Sequence, residues 1–319
     1  MNRNCTYILE VLLQNNNRFL SGAYLSSQLG ISRAAVWKHI RTLRQNGYEI
    51  TAKPNCGYIL KGQPDLLQKD LFTDQNIFYY ETIDSTNLKC RFLAEDNAAE
   101  YSTVIAEKQL QGRGRLGRNW FSPSYSGLWF SMLLRPQKIS PEDISAVTLV
   151  TSATIAEILN HLYNLPVKVK WPNDLMIGDK KTGGILTEIK AEPDWIEYLV
   201  VGVGININQR KTDFPKELAH QATSLAIEGN RDLDRTNLFL ELRQELIKAY
   251  QTFLNNGFAS FRELWRKHNL TLGKKVTVTR HRESFRGYAR DLDEKGALLI
   301  QDNQNKLHSI NYGEIRHEV

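Results

Sequence analysis

The chain has 319 residues, 41% of them hydrophobic, and this length allows two or three domains with separate cores. Its formal net charge of +6 and its pI near 9.1 favour a polyanionic partner without establishing one. Cys5, Cys56 and Cys90 have neither the spacing of a zinc site nor the number of a disulfide framework. No stretch approaches the roughly 18 apolar residues of a membrane helix. We therefore expect a cytoplasmic protein with no membrane partner.

The first sixty residues have the spacing of a helix-turn-helix followed by a β-hairpin. A short helix is predicted over 21–29, and Ser32 is predicted to cap a second helix that runs to about Asn46. The hairpin, over 48–60, would form the wing of a winged helix that binds duplex DNA. A winged helix used only for protein contacts is the alternative. The predicted DNA-binding residues are Ser32, Arg33, Trp37, Lys38, Arg41, Lys53 and Asn55.

Beyond the hairpin, strands alternate with a few helices, which indicates a mixed α+β domain. We predict a short connecting helix over 65–75 and longer helices over 142–163 and 236–255. The segment 81–87 presents hydroxyl and amide side chains where a strand should end and a helix begin. It can be a ligand site, or simply a helix cap with Ser85 or the preceding aspartate as N-cap.

The segment 112–118, Gly-Arg-Gly-Arg-Leu-Gly-Arg, interleaves glycines with arginines and indicates an anion-binding loop. It matches the Gly-x-Gly-x-x-Gly pattern of dinucleotide sites, but a strand-like run over 128–133 follows it instead of a helix. A phosphate-binding P-loop is excluded because no Gly-Lys-Ser/Thr end is present. A basic loop that binds nucleic acid remains the alternative.

Three further segments carry polar residues next to strand patterns. A strand over 167–171 ends at Pro-Asn-Asp, where Asp174 can hold a metal or merely cap a turn. Lys181 is predicted to lie on a hairpin turn over 178–184, and the apolar strand 198–208 contains glycines that suggest close approach of a ligand or another backbone. Arginines, backbone donors and a lysine fit the activation of a carboxylate by a nucleotide.

The last fifty residues alternate short strands with turns over 273–278, 285–289, 297–300 and 306–310. This pattern fits a small SH3-like β-barrel and says nothing by itself about function. The predicted domains are a winged helix-turn-helix over 1–64, a central domain over 65–270 and the β-barrel over 271–319.

The chain resembles the BirA family, whose members are biotin–protein ligases and also biotin operon repressors. The resemblance covers nearly the whole chain. Its motifs, in order, are Asp84-Ser85-Thr86-Asn87, Gly112-Arg113-Gly114-Arg115-x-Gly117-Arg118, Lys170-Trp171-Pro172-Asn173-Asp174, Lys181-x-Gly183-Gly184-Ile185-Leu186 and Gly202-x-Gly204-x-Asn206-x-Asn208. Lipoate ligases share the fold of this family but lack the Gly-Arg-Gly-Arg loop.

The resemblance implies a central α/β ligase domain of the class II synthetase-like type. It implies that biotin and ATP give biotinyl-5′-adenylate, which then biotinylates a lysine of a biotin carboxyl carrier protein domain. It also implies a homodimer, promoted by the adenylate, that represses transcription at operator double-stranded DNA. A DNA-binding regulator that senses biotin or its adenylate without turnover is the alternative function, and a lipoate or other acyl ligase is a third.

The resemblance also assigns site residues by position. The biotin-binding set is Ser85, Thr86, Asn87, Gln109, Gly112, Arg113, Gly114, Arg115, Lys181, Gly184 and Gly204. The nucleotide-binding set is Arg118, Trp120, Asn173, Asp174 and Asn206. The predicted catalytic residues are Lys181, Arg115 and Arg113. Asp174 is the residue predicted to steer Mg²⁺ between the phosphates.

Overall fold

Three helices and one antiparallel hairpin form the first of two units, which ends at Leu66 in the computed structural model. The structure describes residues 3–15, 18–137, 139–140, 143–192, 195–280 and 283–318. The elements of the first unit are α1 (Arg3–Gln14), α2 (Gly22–Leu29), α3 (Arg33–Gln45), β1 (Glu49–Lys53) and β2 (Gly57–Gly62).

Local signals account for most of this unit. The Ser32 hydroxyl accepts a hydrogen bond from Ala35 N at 3.2 Å and so caps α3, as predicted. Val36 and Ile40 on α3 are buried against α1. The sequence analysis did not predict helix α1. The signal for α1 was its run of apolar residues at helical spacing, which includes Ile8 and Leu12. The predicted winged helix-turn-helix is confirmed.

The second unit begins at Leu67 and contains a seven-stranded mixed sheet with helices. The elements of its central part are β3 (Ile77–Ile83), α4 (Thr86–Glu95), β4 (Thr103–Gln109), β5 (Gly127–Leu134), α5 (Ile144–Tyr163), β6 (Val167–Lys170), β7 (Asp174–Ile177), β8 (Lys180–Ala191), β9 (Ile196–Asn206), α6 (Leu225–Gly229), α7 (Arg235–Asn256) and α8 (Arg262–His268). The strand order is β3-β4-β5-β9-β8-β7-β6, and only the β3–β4 pair is parallel.

Two of the three predicted helices in this region are confirmed as α5 and α7, although residue 142 of the first prediction lies outside the described residues. The connecting helix predicted over 65–75 is wrong. Only Lys69–Leu71 forms a short 3-10 turn there, because backbone N–H groups of this segment bind side chains of the central part instead. Leu67 N donates to Glu107 Oε1 at 2.6 Å.

Glu107 lies at the centre of a buried charged cluster. Its carboxylate accepts two hydrogen bonds of 3.0 Å from the Arg235 guanidinium, and neither side chain is exposed to solvent. Arg235 also donates to Gly127 O at 2.8 Å. The ion pair therefore joins the start of α7 to β4 and to the first residue of β5.

The C-terminal part of the second unit is all β. Its strands are β10 (Lys275–Arg280), β11 (Glu283–Leu292), β12 (Leu298–Gln301), β13 (Leu307–Ile310) and β14 (Glu314–His317), in the sheet order β13-β12-β11-β10-β14. The four predicted strands correspond to β10–β13, and β14 was missed. Within the described residues, we find no helix with the length and apolar character needed to span a membrane.

Candidate functional site

A cavity of about 610 Å³ lies between the central sheet, the arginine-rich loop and β14. It collects predicted residues that are up to about 120 positions apart in the chain. The predicted residues in its wall are Ser85, Thr86, Asn87, Gln109, Arg113, Gly114, Arg115, Arg118, Trp120, Asn173, Asp174, Lys181, Gly184, Gly204 and Asn206. Gly112 is not in the described wall. It lies against the loop backbone, where a Cβ would come within 2.4 Å of Trp120 O.

One end of the cavity is polar and uncharged. Ser85 caps α4 and also lines the cavity, so this residue is a helix cap and a member of the cavity wall at once. The backbone N–H and the hydroxyl group of Thr86 lie 2.8 and 3.0 Å from Gln109 Oε1. Gln109 Nε2 in turn donates to Ser122 Oγ at 2.9 Å. Such a wall of fixed neutral donors and acceptors suits a neutral polar group of a ligand.

The arginine-rich loop contacts both the central domain and the C-terminal sheet. Arg115 donates to Asn173 Oδ1 at 3.1 Å and to Gly313 O at 3.2 Å. Its burial lowers the pKa of the guanidinium group below the usual value. The exposed Arg118 side chain forms an ion pair with Glu314 of β14. Contacts with residues far away in the chain therefore hold the Arg115 and Arg118 side chains of this loop at the cavity.

Lys181 lies on strand β8, not on the hairpin turn that the sequence predicted. The turn is shorter, because β7 and β8 pair from Ile177 opposite Lys180 onward. Lys181 Nζ lies 2.5 Å from Asp174 Oδ1 and 5.2 Å from the centre of the Trp120 ring. A cation with a single carboxylate partner and an aromatic face can attract a further anion into the cavity.

The two glycines of β9 in the cavity wall allow side chains to approach closely. A Cβ on Gly202 would lie 1.9 Å from Asn87 Oδ1, and a Cβ on Gly204 would lie 2.5 Å from Trp120 Nε1. The close approach predicted from these glycines therefore involves at least two side chains of the protein itself. Trp120 Nε1 is buried and has no hydrogen-bond partner among the described residues.

Another part of the cavity wall contains two apolar residues that the sequence analysis missed. Phe214 and Leu218 line it beside Gln221, and they lie in an irregular segment that has no glycine or arginine signal. Asn206 also lies here, but its amide donates to Thr223 O at 2.9 Å and its oxygen accepts from Gln209 at 3.2 Å. The polar atoms of the predicted nucleotide-binding residue Asn206 thus hold the wall together.

Carboxylates are few in this wall. It contains Asp174, Asp179 and Glu314. Among the described residues, no group of three or more His, Cys, Asp or Glu side chains could hold a metal ion by itself. A divalent ion at this site would need further oxygen ligands from a substrate.

The predicted DNA-binding residues lie in the first unit and are all exposed. On α3, the Trp37 side chain is 54% exposed, and the Arg41 guanidinium carbon lies 5.8 Å from the centre of its ring. Lys53 and Asn55 lie at the tip of the β1–β2 hairpin. This surface has the charge and the helix exposure that DNA binding requires.

Comparisons with known families match three separate parts of the chain. The model of the Biotin/lipoate A/B protein ligase family matches residues 79–206, that of the HTH domain matches residues 6–59, and that of the Biotin protein ligase C terminal domain matches residues 271–317. Each of these models therefore covers a different part of the chain.

The chain is also similar to proteins matched over nearly their full length. It is 36% identical over 305 residues to the Bifunctional ligase/repressor BirA of Bacillus subtilis (strain 168), covering 93% of this chain and 94% of that protein. It is 34% identical to the protein of the same name from Escherichia coli (strain K12), covering 92% and 91%. The structure of a biotin protein ligase from Aquifex aeolicus in complex with biotin and ATP matches with a TM-score of 0.68 and 31% identity, over 77% of this chain and 100% of that chain.

Proposed function

We propose that the cavity activates biotin with ATP and then biotinylates a lysine of a carrier domain, because this chain belongs to the BirA family of bifunctional ligases and repressors. The single observation that carries the proposal is the arrangement of the cavity. Neutral polar side chains and the cations Lys181 and Arg115 line the same cavity. Their order follows β9, where Gly202 lies against Asn87 and Gly204 lies against the Trp120 ring that contacts Lys181. Biotin has the same order of groups, with a neutral urea at one end and a carboxylate at the other.

In the first step, an oxygen of the biotin carboxylate attacks the α-phosphorus of ATP, and pyrophosphate leaves. The two reactants repel each other because both are anions. Lys181, Arg115 and Arg113 are proposed to offset this charge and to stabilise the negative charge that builds up on the α-phosphoryl oxygens. Lys181 would exchange part of its contact with Asp174 for contact with the ligand.

In the second step, the neutral amine of the acceptor lysine attacks the acyl carbon of the adenylate, the bond from this carbon to the phosphate oxygen breaks, AMP leaves, and the new amide nitrogen loses a proton to solvent. The same cations would stabilise the departing phosphate. The proposed acceptor is a biotin carboxyl carrier protein domain.

We propose further that Arg118, Trp120, Asn173, Asp174 and Asn206 form the nucleotide side of the site. The donor set fits Mg²⁺, because this ion is usually bound by one or two carboxylates together with substrate phosphates. Asp174, with Asp179 in the same wall, would hold the ion. When bound, Mg²⁺ would neutralise phosphate charge and orient the triphosphate.

The first unit is proposed to bind operator DNA through the exposed face of α3 and the hairpin tip, in a cytoplasmic homodimer promoted by the adenylate. Support for the dimer comes from β8. One edge of β8 pairs with β7 over residues 180–184. Along the same edge of β8, residues 187–191 have no partner strand among the described residues. A free strand edge can pair with a second copy. The proposed domain limits are 1–64, 65–270 and 271–319.

The experiment that tests the ligase is exchange of labelled pyrophosphate into ATP in the presence of Mg²⁺, with biotin, lipoate or octanoate as the acid. Exchange requires the adenylate to form reversibly but needs no acceptor protein. We expect exchange with biotin alone. Exchange with lipoate or octanoate would instead indicate another acyl ligase, and no exchange with any acid would indicate a regulator without turnover.

A further inference from the structure

Behind the polar end of the cavity, a chain of hydrogen bonds runs through buried hydroxyl groups to a partly buried carboxylate that no part of the proposed mechanism uses. Asn87 Nδ2 donates to Glu188 Oε2 at 2.7 Å and to Leu186 O at 3.2 Å. Because both amide hydrogens are then used, the Asn87 side chain offers only its oxygen to other groups. Glu188 accepts the shorter of the two bonds, and it is the acceptor that a mutation can remove.

The orientation of Asn87 fixes the next two hydroxyl groups. Ser131 Oγ lies 2.6 Å from Asn87 Oδ1 and 2.8 Å from Thr86 Oγ1. Since Asn87 Oδ1 can only accept, the single Ser131 proton points at Asn87, and Ser131 Oγ must accept from Thr86. Ser131 is fully buried and Thr86 is 3% exposed, so water does not compete for these protons.

The donor-to-acceptor direction of these hydrogen bonds determines how Gln109, in the cavity wall, can bind a ligand. The Thr86 hydroxyl has two acceptors within reach, Ser131 Oγ and Gln109 Oε1, and it has one proton. When that proton goes to Ser131, Gln109 Oε1 keeps only the bond from Thr86 N at 2.8 Å. A carbonyl oxygen can accept two hydrogen bonds, so one acceptor position of Gln109 stays open.

We propose that Glu188 is a positioning residue which, through Asn87, Ser131 and Thr86, keeps an open acceptor on Gln109 for an N–H group of the bound ligand. The inference rests on the proposed function, because the urea of biotin supplies N–H donors at the neutral end of the molecule. Gly202 belongs to the same arrangement. A side chain there would overlap Asn87 Oδ1, which would lie 1.9 Å from its Cβ.

The test compares Glu188→Ala with Glu188→Gln in the full chain by biotin-dependent pyrophosphate exchange. In Glu188→Ala the amide of Asn87 loses its charged partner. We expect the KM for biotin to rise about tenfold, while kcat and the KM for ATP change by less than about twofold. In Glu188→Gln the side-chain oxygen can accept the same bond, so we expect the KM for biotin to stay within about threefold of the starting protein.

A matched control is Glu197→Ala. Glu197 lies on the neighbouring strand β9, and its carboxylate forms an ion pair with Lys190. This variant should leave the KM for biotin unchanged. The sharpest measurement is a double-mutant cycle with Ser131→Ala, which interrupts the chain between Asn87 and Thr86. On that background, Glu188→Ala should not raise the KM for biotin further.

The outcomes separate the inference from the function. Glu188 would be merely structural if Glu188→Ala lowered kcat equally for every substrate, or if its effect added to that of Ser131→Ala. An unchanged KM for biotin in Glu188→Ala would also exclude a positioning role. Any of these results would overturn the inference while the starting protein still exchanged pyrophosphate with biotin. Absence of exchange in the starting protein would instead overturn the proposed function.

Discussion

The Lys181 ammonium group and the Asp174 carboxylate form an ion pair at 2.5 Å across the β7–β8 hairpin, inside the cavity wall. Both side chains are about a third exposed or less, at 34% and 27%. The pair keeps a cation in place before any ligand binds, and it keeps a carboxylate beside it that can later face a metal ion. Replacement of either partner therefore changes two proposed functions at once.

Lys181→Ala should abolish most adenylation without unfolding the protein. Loss of one positioned donor to a developing oxyanion typically lowers kcat by about 100-fold to 1000-fold. We expect a loss of this size in biotin-dependent pyrophosphate exchange. The matched control is Lys180→Ala, which removes the neighbouring lysine of β8, a residue outside the cavity wall. Near-normal exchange in Lys181→Ala would contradict its proposed role.

Gly204→Ala should displace Trp120 from the cavity wall. The new methyl group would lie 2.5 Å from Trp120 Nε1, which is too close for two unbonded atoms. We expect the KM for ATP or biotin to rise at least about tenfold, because the ring supports Lys181 as well as the wall. Gly229→Ala is the control, since its nearest neighbour would lie at 3.5 Å. Equal KM values for the two variants would show that Trp120 adapts.

How much of the site could be predicted depended on whether its signal was local. The arginine-rich loop and the capped start of α4 were predicted because a few adjacent residues determine each of them. Lys181 was placed on a turn because sequence alone could not show that β7 and β8 pair almost to their connecting residues.

The residues that were missed act through contacts between distant parts of the chain. The missed Glu188 is 101 positions from its predicted partner Asn87, and the missed Glu314 is 196 positions from its predicted partner Arg118. Phe214 and Leu218 were missed for a related reason, since an irregular segment has no periodic pattern. Composition and spacing predict which elements form, but only the pairing of strands decides which side chains meet.

Stability should fall in mild acid, in part because of His317. Burial, together with the nearby charges of Lys274 and Lys170, lowers its pKa from 6.5 to about 4. Between these two pH values the unfolded chain binds a proton that the folded chain does not. The free energy of unfolding therefore decreases as pH falls from 6.5 towards 4, and the full contribution is present above 6.5.

The measurement is urea unfolding of the full chain and of His317→Phe at about pH 7.5 and about pH 5. Phenylalanine carries no titratable group, so the variant should lose less stability between the two pH values. His268, whose pKa is also lowered by burial, should leave a residual dependence. The exposed His220 provides the control variant, His220→Ala. If His317→Phe lost as much stability as the control, the buried imidazole would not cause the acid sensitivity.

Arg33→Ala combined with Arg41→Ala should weaken DNA binding and leave biotin-dependent pyrophosphate exchange intact. Both arginines are exposed on α3, where they can contact phosphates of duplex DNA. Each phosphate contact contributes about 0.9 to the slope of log K against log salt concentration, so the double variant should reduce that slope by about two.

A mixed-sequence DNA duplex serves as the probe, because phosphate contacts do not depend on base sequence. Arg3→Ala removes an exposed arginine of α1 that is not among the predicted DNA-binding residues, and it should leave the slope unchanged. An unchanged slope in the double variant would exclude this face of α3 from DNA binding. Loss of exchange in the double variant would show that the winged helix and the ligase site do not function separately.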